Sequence, residues 1–312
     1  MLVLFLVMAL GLAGCARATD FTPRAAAPDP AFFFAGAVPT YGQQVSPSQL
    51  NRLAYLRALR RIDPCDLLSR AAMAKVGEIG SVGTMFAFNE CDVDIKVAGD
   101  SARRYVSVEV ELGTLDRAEC QYVAPLPLAH LPGAPPVPGP VQPVVRISPI
   151  TDQSCAFADQ VGRSAAPILD VNRPPIRDGV SAYPVVLAER DPCEILPALP
   201  GARWDVGATR PHRCAVTLAD GTAIRLTLEP QLFEPDSDDR SRQSRDGIDL
   251  FVDTQFCAAS VFVGAPMRRR LLGGDYQRPS DVVIRPSVMV ESLPPRCDTV
   301  GDIAVAAGKI FG

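Results

Sequence analysis

Apolar positions recur along this chain with two different periods. In LNRLAYLRALRRI, residues Leu50, Leu53, Leu56, Leu59 and Ile62 return every third position, close to the stripe that one face of a helix presents. In CDVDIKV (91–97) and YVSVEVEL (105–112) apolar and polar residues alternate, which predicts strands with one buried face. CAVTLADGTAIRLTLE (214–229) reads as two such runs joined at Asp220 and Gly221, a hairpin. Two further short runs, VVRIS from Val144 and VVIRP from Val282, each precede a cysteine and a helical pattern. These helices are CAFADQVGRSAAPIL from Cys155 and CDTVGDIAVAAGKIF from Cys297. Ala156, Ala158, Val161 and Ala165 in one, and Val300, Ile303, Ala304 and Ala307 in the other, are small apolar residues suited to packing on a sheet.

A repeated phrase ties these elements together: DPCDLL at 63–68 and DPCEIL at 191–196. Asp63 and Asp191 can cap a helix through their carboxylates, and Pro64 and Pro192 suit a first turn, where a missing N–H costs nothing. The first helix is expected to run through DPCDLLSRAAMAKVG, burying Leu67, Leu68, Ala71, Ala72 and Val76 and stopping at Gly77. Pro197 and Pro200 must shorten or break the second. The order helix, strands, cysteine, strand, cysteine, helix thus occurs twice, although identity between halves is low. The expected fold is α+β: two similar domains, each an antiparallel sheet flanked by helices and stapled by two disulfides.

The segment MLVLFLVMALGLAGC is apolar but short of the roughly 20 residues that a membrane-spanning helix needs. It reads as the hydrophobic region of a secretory signal, residues 1–14. Leu12, Ala13 and Gly14 before Cys15 match the lipobox of bacterial lipoproteins, which makes Cys15 the lipid attachment site. One feature departs from the pattern, since the first positive residue is Arg17, after the apolar run; a start codon assigned too far downstream accounts for that. Acyl chains such as palmitate contribute about 0.8 kcal/mol per buried methylene, so two or three anchor a protein durably. The body would then lie at the outer face of the bacterial cytoplasmic membrane, where disulfides form. Of the nine cysteines, setting Cys15 aside leaves an even number, divided equally between the halves.

Residues 15–49, rich in Pro, Ala and polar side chains, read as a lipidated flexible tether. Within it Phe32, Phe33 and Phe34 are either an adhesive patch or packed against the first domain. The first domain is placed at 50–172, a linker at 173–189 and the second domain at 190–312. A proline-rich insert, PLPLAHLPGAPPVPGPVQP, interrupts the first half and EPDSDDRSRQSRDG the second; both read as surface loops, where binding often resides.

The DPC start, the later strand-leading cysteine and the cysteine pair near the end resemble the DPC-motif, cysteine-paired domain of unknown function found in actinobacterial cell-envelope lipoproteins. The resemblance covers about residues 62–172 and 190–312, in tandem. It implies export, lipidation and an α+β fold with an antiparallel sheet, and supplies no catalytic residues. Confinement of the eight remaining cysteines to their own halves leaves three pairings in each. The favoured set joins neighbours: Cys65 with Cys91, Cys120 with Cys155, Cys193 with Cys214 and Cys257 with Cys297. The close C-x-x-C spacing of zinc sites is missing, so no metal is expected.

Composition and motifs narrow the function further. The 312 residues carry a net charge of -4, which gives no footprint for nucleic acid. Ser101 in GDSARR would need a histidine base to act as a nucleophile. His130 and His212 are the two histidines, and neither sits in a triad-like setting, so Ser101 reads as a turn residue. Asp236, Asp238 and Asp239 lie among Arg240, Arg242 and Arg245 and read as a solvated loop, not a calcium site. Arg268, Arg269 and Arg270 are the candidates for contact with an anionic headgroup or acidic partner. Trp204 is assigned to the core of the second domain. The sequence therefore points to a non-enzymatic, membrane-anchored lipoprotein without cofactor, binding an envelope protein, glycan or lipid. A lipid or small-molecule carrier with an apolar cavity, or an envelope hydrolase whose site only folding assembles, are the alternatives.

Overall fold

The computed structural model describes residues 29–68, 73–84, 86–97, 99, 103–118, 120–150, 155–169, 174–177, 186–233, 241–266, 283–293 and 295–312. Helix α1 (Pro47–Arg60) opens the body, starting from a capping box in which Ser46 and Gln49 exchange hydrogen bonds. Its apolar stripe, Leu53, Leu56 and Leu59, is fully buried against the first sheet, β1 (Glu78–Gly83), β2 (Glu90–Lys96), β3 (Arg103–Gly113), β4 (Tyr122–Pro125) and β5 (Gln142–Pro149). Helix α2 (Cys155–Leu169) covers the same face with Phe157 and Val161. A short helix α3 (Val186–Glu189) leads into the second half.

The second sheet contains β6 (Arg203–Trp204), β7 (Arg213–Thr217), β8 (Ala223–Phe233), β9 (Ser241–Arg245), β10 (Ile248–Asp253), β11 (Ala258–Phe262) and β12 (Val283–Leu293). Helix α4 (Cys297–Phe311) packs on it through Val300, Ile303, Ala304 and Ala307. Both sheets are antiparallel, the first ordered β1-β2-β3-β5-β4 and the second β6-β7-β8-β12-β11-β10-β9. The first five positions therefore follow one connection scheme in both halves, and the β9–β10 hairpin extends the second beyond it. Register agrees too: Cys91 lies opposite Val108 on β3, and Cys214 opposite Leu226 on β8. The proline-rich insert joins β4 to β5, so its topological counterpart is the β11–β12 connection, not EPDSDDRSRQSRDG, which precedes and forms β9.

Each DPC phrase starts a 3-10 helix, Cys65–Leu67 in one half and Pro192–Ala198 in the other. The Asp63 carboxylate accepts the Cys65 N–H at 2.9 Å and Asp191 accepts that of Cys193 at 3.0 Å. Pro197 inside the second element removes a donor and keeps it from continuing as an α-helix. In the first, residues 69–72 lie outside the described part. Cysteines stand at disulfide distance in four neighbouring pairs, Cys65–Cys91, Cys120–Cys155, Cys193–Cys214 and Cys257–Cys297. The bond from each DPC phrase to its strand has the same Cα separation, 5.1 Å. Cys120 and Cys257, which open the second bond in each half, both have left-handed backbone, with φ of 59° and 47°.

Several boundaries expected from the sequence need correction. From residue 29 the presumed tether is part of the body. Pro30–Phe34 is a 3-10 helix with Phe33 and Phe34 buried, and Arg57 donates to the carbonyls of Phe34, Gly36 and Ala37 at 2.8–3.1 Å. The Arg61 guanidinium stacks 4.3 Å over Phe32. This answers the question of the aromatic triplet: it packs. The helix expected from Leu50 begins three residues earlier, at Pro47. Ala156 is exposed, because α2 turns it away from the sheet.

Nor is 173–189 a loose linker where it is described. Ile176 bridges to Ile62, and the Asp63 N–H donates to Pro175. Arg177 donates to the carbonyls of Arg60 and Phe88. The Phe88 ring, a residue of the first half, is buried in the apolar cluster of the second, edge-on to His212 at 5.7 Å. Arg60 reaches across to Asp191 at 2.9 Å and to the Pro211 carbonyl at 3.1 Å, while Arg52 donates to Val206, Gly207 and Thr209. Trp204 contacts both apolar clusters and so belongs to this seam, not to one core.

Candidate binding groove

Strand β4 ends the first sheet and the proline-rich insert folds back beside it. The 3-10 helix Pro127–His130 follows directly, with Leu128 and the adjoining Leu131 buried as anchors. The turn at Gly133 needs φ +78°, a conformation that a β-carbon disfavours. Tyr55, buried in α1, donates its hydroxyl to the Pro135 carbonyl at 2.7 Å, and the Leu126 N–H donates to Pro143 at 2.9 Å. Prolines thus stiffen the insert and these bonds fix it to the frame.

Between strand and insert lies a groove of about 470 Å³, lined by Tyr122, Pro125, Leu126, His130, Val137 and Gln142 among others. Its volume falls within the range of small-ligand sites. The Tyr122 ring lies so close to Gly162 of α2 that a β-carbon there would approach it to 2.2 Å, and the Arg117 guanidinium stands 5.5 Å from the ring centre. The lining offers apolar contact with a few polar groups, Tyr122, His130 and Gln142, which suits recognition of an extended or apolar ligand.

A second group of side chains lies on the face of the first sheet turned away from α1. Alternation along β3 puts Ser107, Glu109 and Glu111 there. Register sets Glu90 and Arg146 on either side of Glu109. Glu111 pairs with Arg146, Glu90 accepts the Ser107 hydroxyl, and Asn89 donates to Glu109 at 3.0 Å. Burial, then the neighbouring Glu111 and Glu90 charges, push the Glu109 carboxyl up to about 7. A carboxyl so placed holds a proton near neutral pH.

The seam carries the third group. His212 is buried with Nε2 2.7 Å from the Ala188 carbonyl. A carbonyl only accepts, so Nε2 bears the hydrogen and Nδ1 is the bare nitrogen. Burial, then the Arg177 charge, hold this imidazole well below its ordinary value. Burial also pulls the Arg177 guanidinium down to about 10, against the attraction of Asp63 and Glu189. Tyr41 is raised, first by burial and then by Asp191 and Glu194.

The residues singled out in the sequence are therefore dispersed. His130 lines the groove and His212 supports the seam, so the two histidines do not meet. Ser101, Asp236, Asp238, Asp239, the Arg268–Arg270 run and Cys15 lie outside the described residues, whereas Arg242 pairs with Asp249, and Arg245 with Asp302. Among the described residues no three His, Cys, Asp or Glu side chains are grouped to hold a metal ion, and no helix is long and apolar enough to cross a membrane. Sequence reasoning missed Phe88, Arg60, Arg177 and the Glu90–Glu109 pairing; only strand register could have exposed the last. No known family model, curated protein or solved structure matches the chain.

Proposed function

We propose that this chain is an exported lipoprotein, anchored through acylated Cys15 to the outer face of a bacterial cytoplasmic membrane and acting there as a non-enzymatic binding module. The observation that carries the reading is the set of paired cysteines, one per DPC phrase and one per terminal helix in each half. Such bonds persist in an oxidising compartment and are rare in the cytosol. The shared strand order supports a further reading, that the halves are tandem copies of one domain, the DPC-motif domain of actinobacterial envelope lipoproteins.

Binding is assigned to the groove beside β4, where a rigid insert and an aromatic wall meet at the sheet edge. Its ligand is an envelope protein, glycan or lipid. The reading is tested in cells producing the full chain. Metabolic labelling with an alkyne-bearing palmitate should mark the wild type and not Cys15→Ala. Photo-crosslinking from position 137 in the groove should then capture one specific partner in the membrane fraction, lost when Tyr122 is replaced by Ala. Equal labelling of Cys15→Ala removes the anchor from the account, and recovery of unrelated abundant proteins alone removes the groove.

A further inference from the structure

The disulfides fall into two classes that repeat in both halves. Cys65, Cys91, Cys193 and Cys214 are each no more than 3 % exposed, so the bonds from the DPC phrases to β2 and β7 are sealed in the two cores. Each of the other two bonds has at least one cysteine at the surface: Cys155 is exposed and Cys120 and Cys297 are partly so, while Cys257 is buried, with 6 % exposure. Cys155 and Cys297 are the first residues of 15-residue helices. Cys120 and Cys257 hold left-handed backbone at φ 59° and 47°, a conformation unfavourable for any residue with a β-carbon. Exchange requires that a thiolate reach a disulfide sulfur. The two classes therefore differ in whether a bond has one cysteine within reach, Cys155 or Cys297, or none.

We propose that Cys120–Cys155 and Cys257–Cys297 are sites of thiol–disulfide exchange with a dithiol, while the two inner bonds are permanent staples. The incoming thiolate attacks the accessible sulfur, that of Cys155 or Cys297. The S–S bond breaks and its electron pair leaves on Cys120 or Cys257, which takes up a proton. The second thiol of the reagent then attacks the mixed disulfide. It displaces Cys155 or Cys297 as a thiolate and leaves the reagent oxidised, so two electrons pass to the protein. The positive end of the helix favours that thiolate.

Opening also frees Cys120 from its left-handed conformation. Cys120 stands two residues before Tyr122, so exchange in the first half acts on the wall of the groove. The hydrophobic contacts of α2 and α4 and the inner bonds remain, so the body should stay folded. The location of a natural dithiol rests on the export reading; the chemistry of the two classes does not.

The test uses the full oxidised chain, dithiothreitol as the probe and iodoacetamide as the trap, all without denaturant, followed by peptide mapping. The expected result is complete labelling of Cys120, Cys155, Cys257 and Cys297 before Cys65, Cys91, Cys193 or Cys214 is labelled, with an unchanged circular dichroism spectrum. Simultaneous labelling of both classes, earlier labelling of the inner one, or no labelling without denaturant overturns the proposal. A variant with all four outer cysteines changed to Ala should take no label at Cys65, Cys91, Cys193 or Cys214 under the same conditions; if it does not fold, the order of labelling in the wild type still decides. Whether the export reading holds is settled apart from this, by palmitate labelling.

Discussion

Replacing Glu109 with Gln removes a carboxylate that the fold holds against its own neighbours. The side chain keeps an oxygen to accept from Asn89, so shape and hydrogen bonding are nearly preserved while the charge is lost. In the folded chain this carboxyl sits at about 7 against a reference of 4.5. Each unit is worth about 1.4 kcal/mol, so the shift sets an upper limit of about 3 kcal/mol, and partial exposure reduces it to about 1–2 kcal/mol. The sign follows from proton binding. The folded state holds the proton more tightly, so this stabilisation is complete below about pH 4.5 and is lost as pH rises through about 7. Glu109→Gln should therefore match the wild type near pH 4 and exceed it by about 1–2 kcal/mol at pH 8. Urea titrations followed by circular dichroism at pH 4, 6 and 8 measure the difference, in which the other titrating groups cancel. A variant less stable than the wild type at pH 8, or a difference that does not change with pH, would mean that burial and the Glu111 and Glu90 charges do not raise Glu109.

Other perturbations test other parts of the structure. Phe88→Ala empties an aromatic site in the core of the opposite half and should cost about 3–5 kcal/mol; calorimetry should show one transition in the wild type and two in the variant, and a single unshifted transition would deny the seam. His212 works against Glu109 in pH: its folded value lies below 6.5, so the stability it contributes is present above pH 6.5 and lost on acidification. His212→Gln should flatten the wild type's acid loss below that pH, and an unchanged acid limb would contradict the buried neutral imidazole. Gly162→Ala places a methyl against the Tyr122 ring and should destabilise by about 1–3 kcal/mol. Because that ring walls the groove, the same variant should also weaken capture of the groove's ligand; stable, wild-type behaviour would mean the ring is not seated there.

Local elements were legible because their signals are local. Alternation in YVSVEVEL marks β3, the spaced leucines mark α1, and the cysteine-led patterns mark α2 and α4. Shorter or polar strands carried too little: β1 reads EIGSVG, with two glycines, and β9 reads SRQSR without an apolar residue. The seam was hidden for another reason. Phe88, Arg177 and His212 lie outside the named strands and helices, and they meet only after both sheets form. The N-terminal arm resembled a tether because it is rich in proline and alanine; Arg57 of α1 binds it through backbone carbonyls, which no side-chain pattern can announce. The connection order shared by the first five strand positions of both sheets was likewise hidden, because it is set by pairing between distant strands.

Mapping of disulfides in a nonreduced digest of the protein recovered from the cell envelope decides whether the four staples form as described. Cross-linked peptides should join Cys65 to Cys91, Cys120 to Cys155, Cys193 to Cys214 and Cys257 to Cys297, with the inner two bonds intact in every molecule. Free thiols at Cys65, Cys91, Cys193 or Cys214, or a bridge from one half to the other, would contradict it.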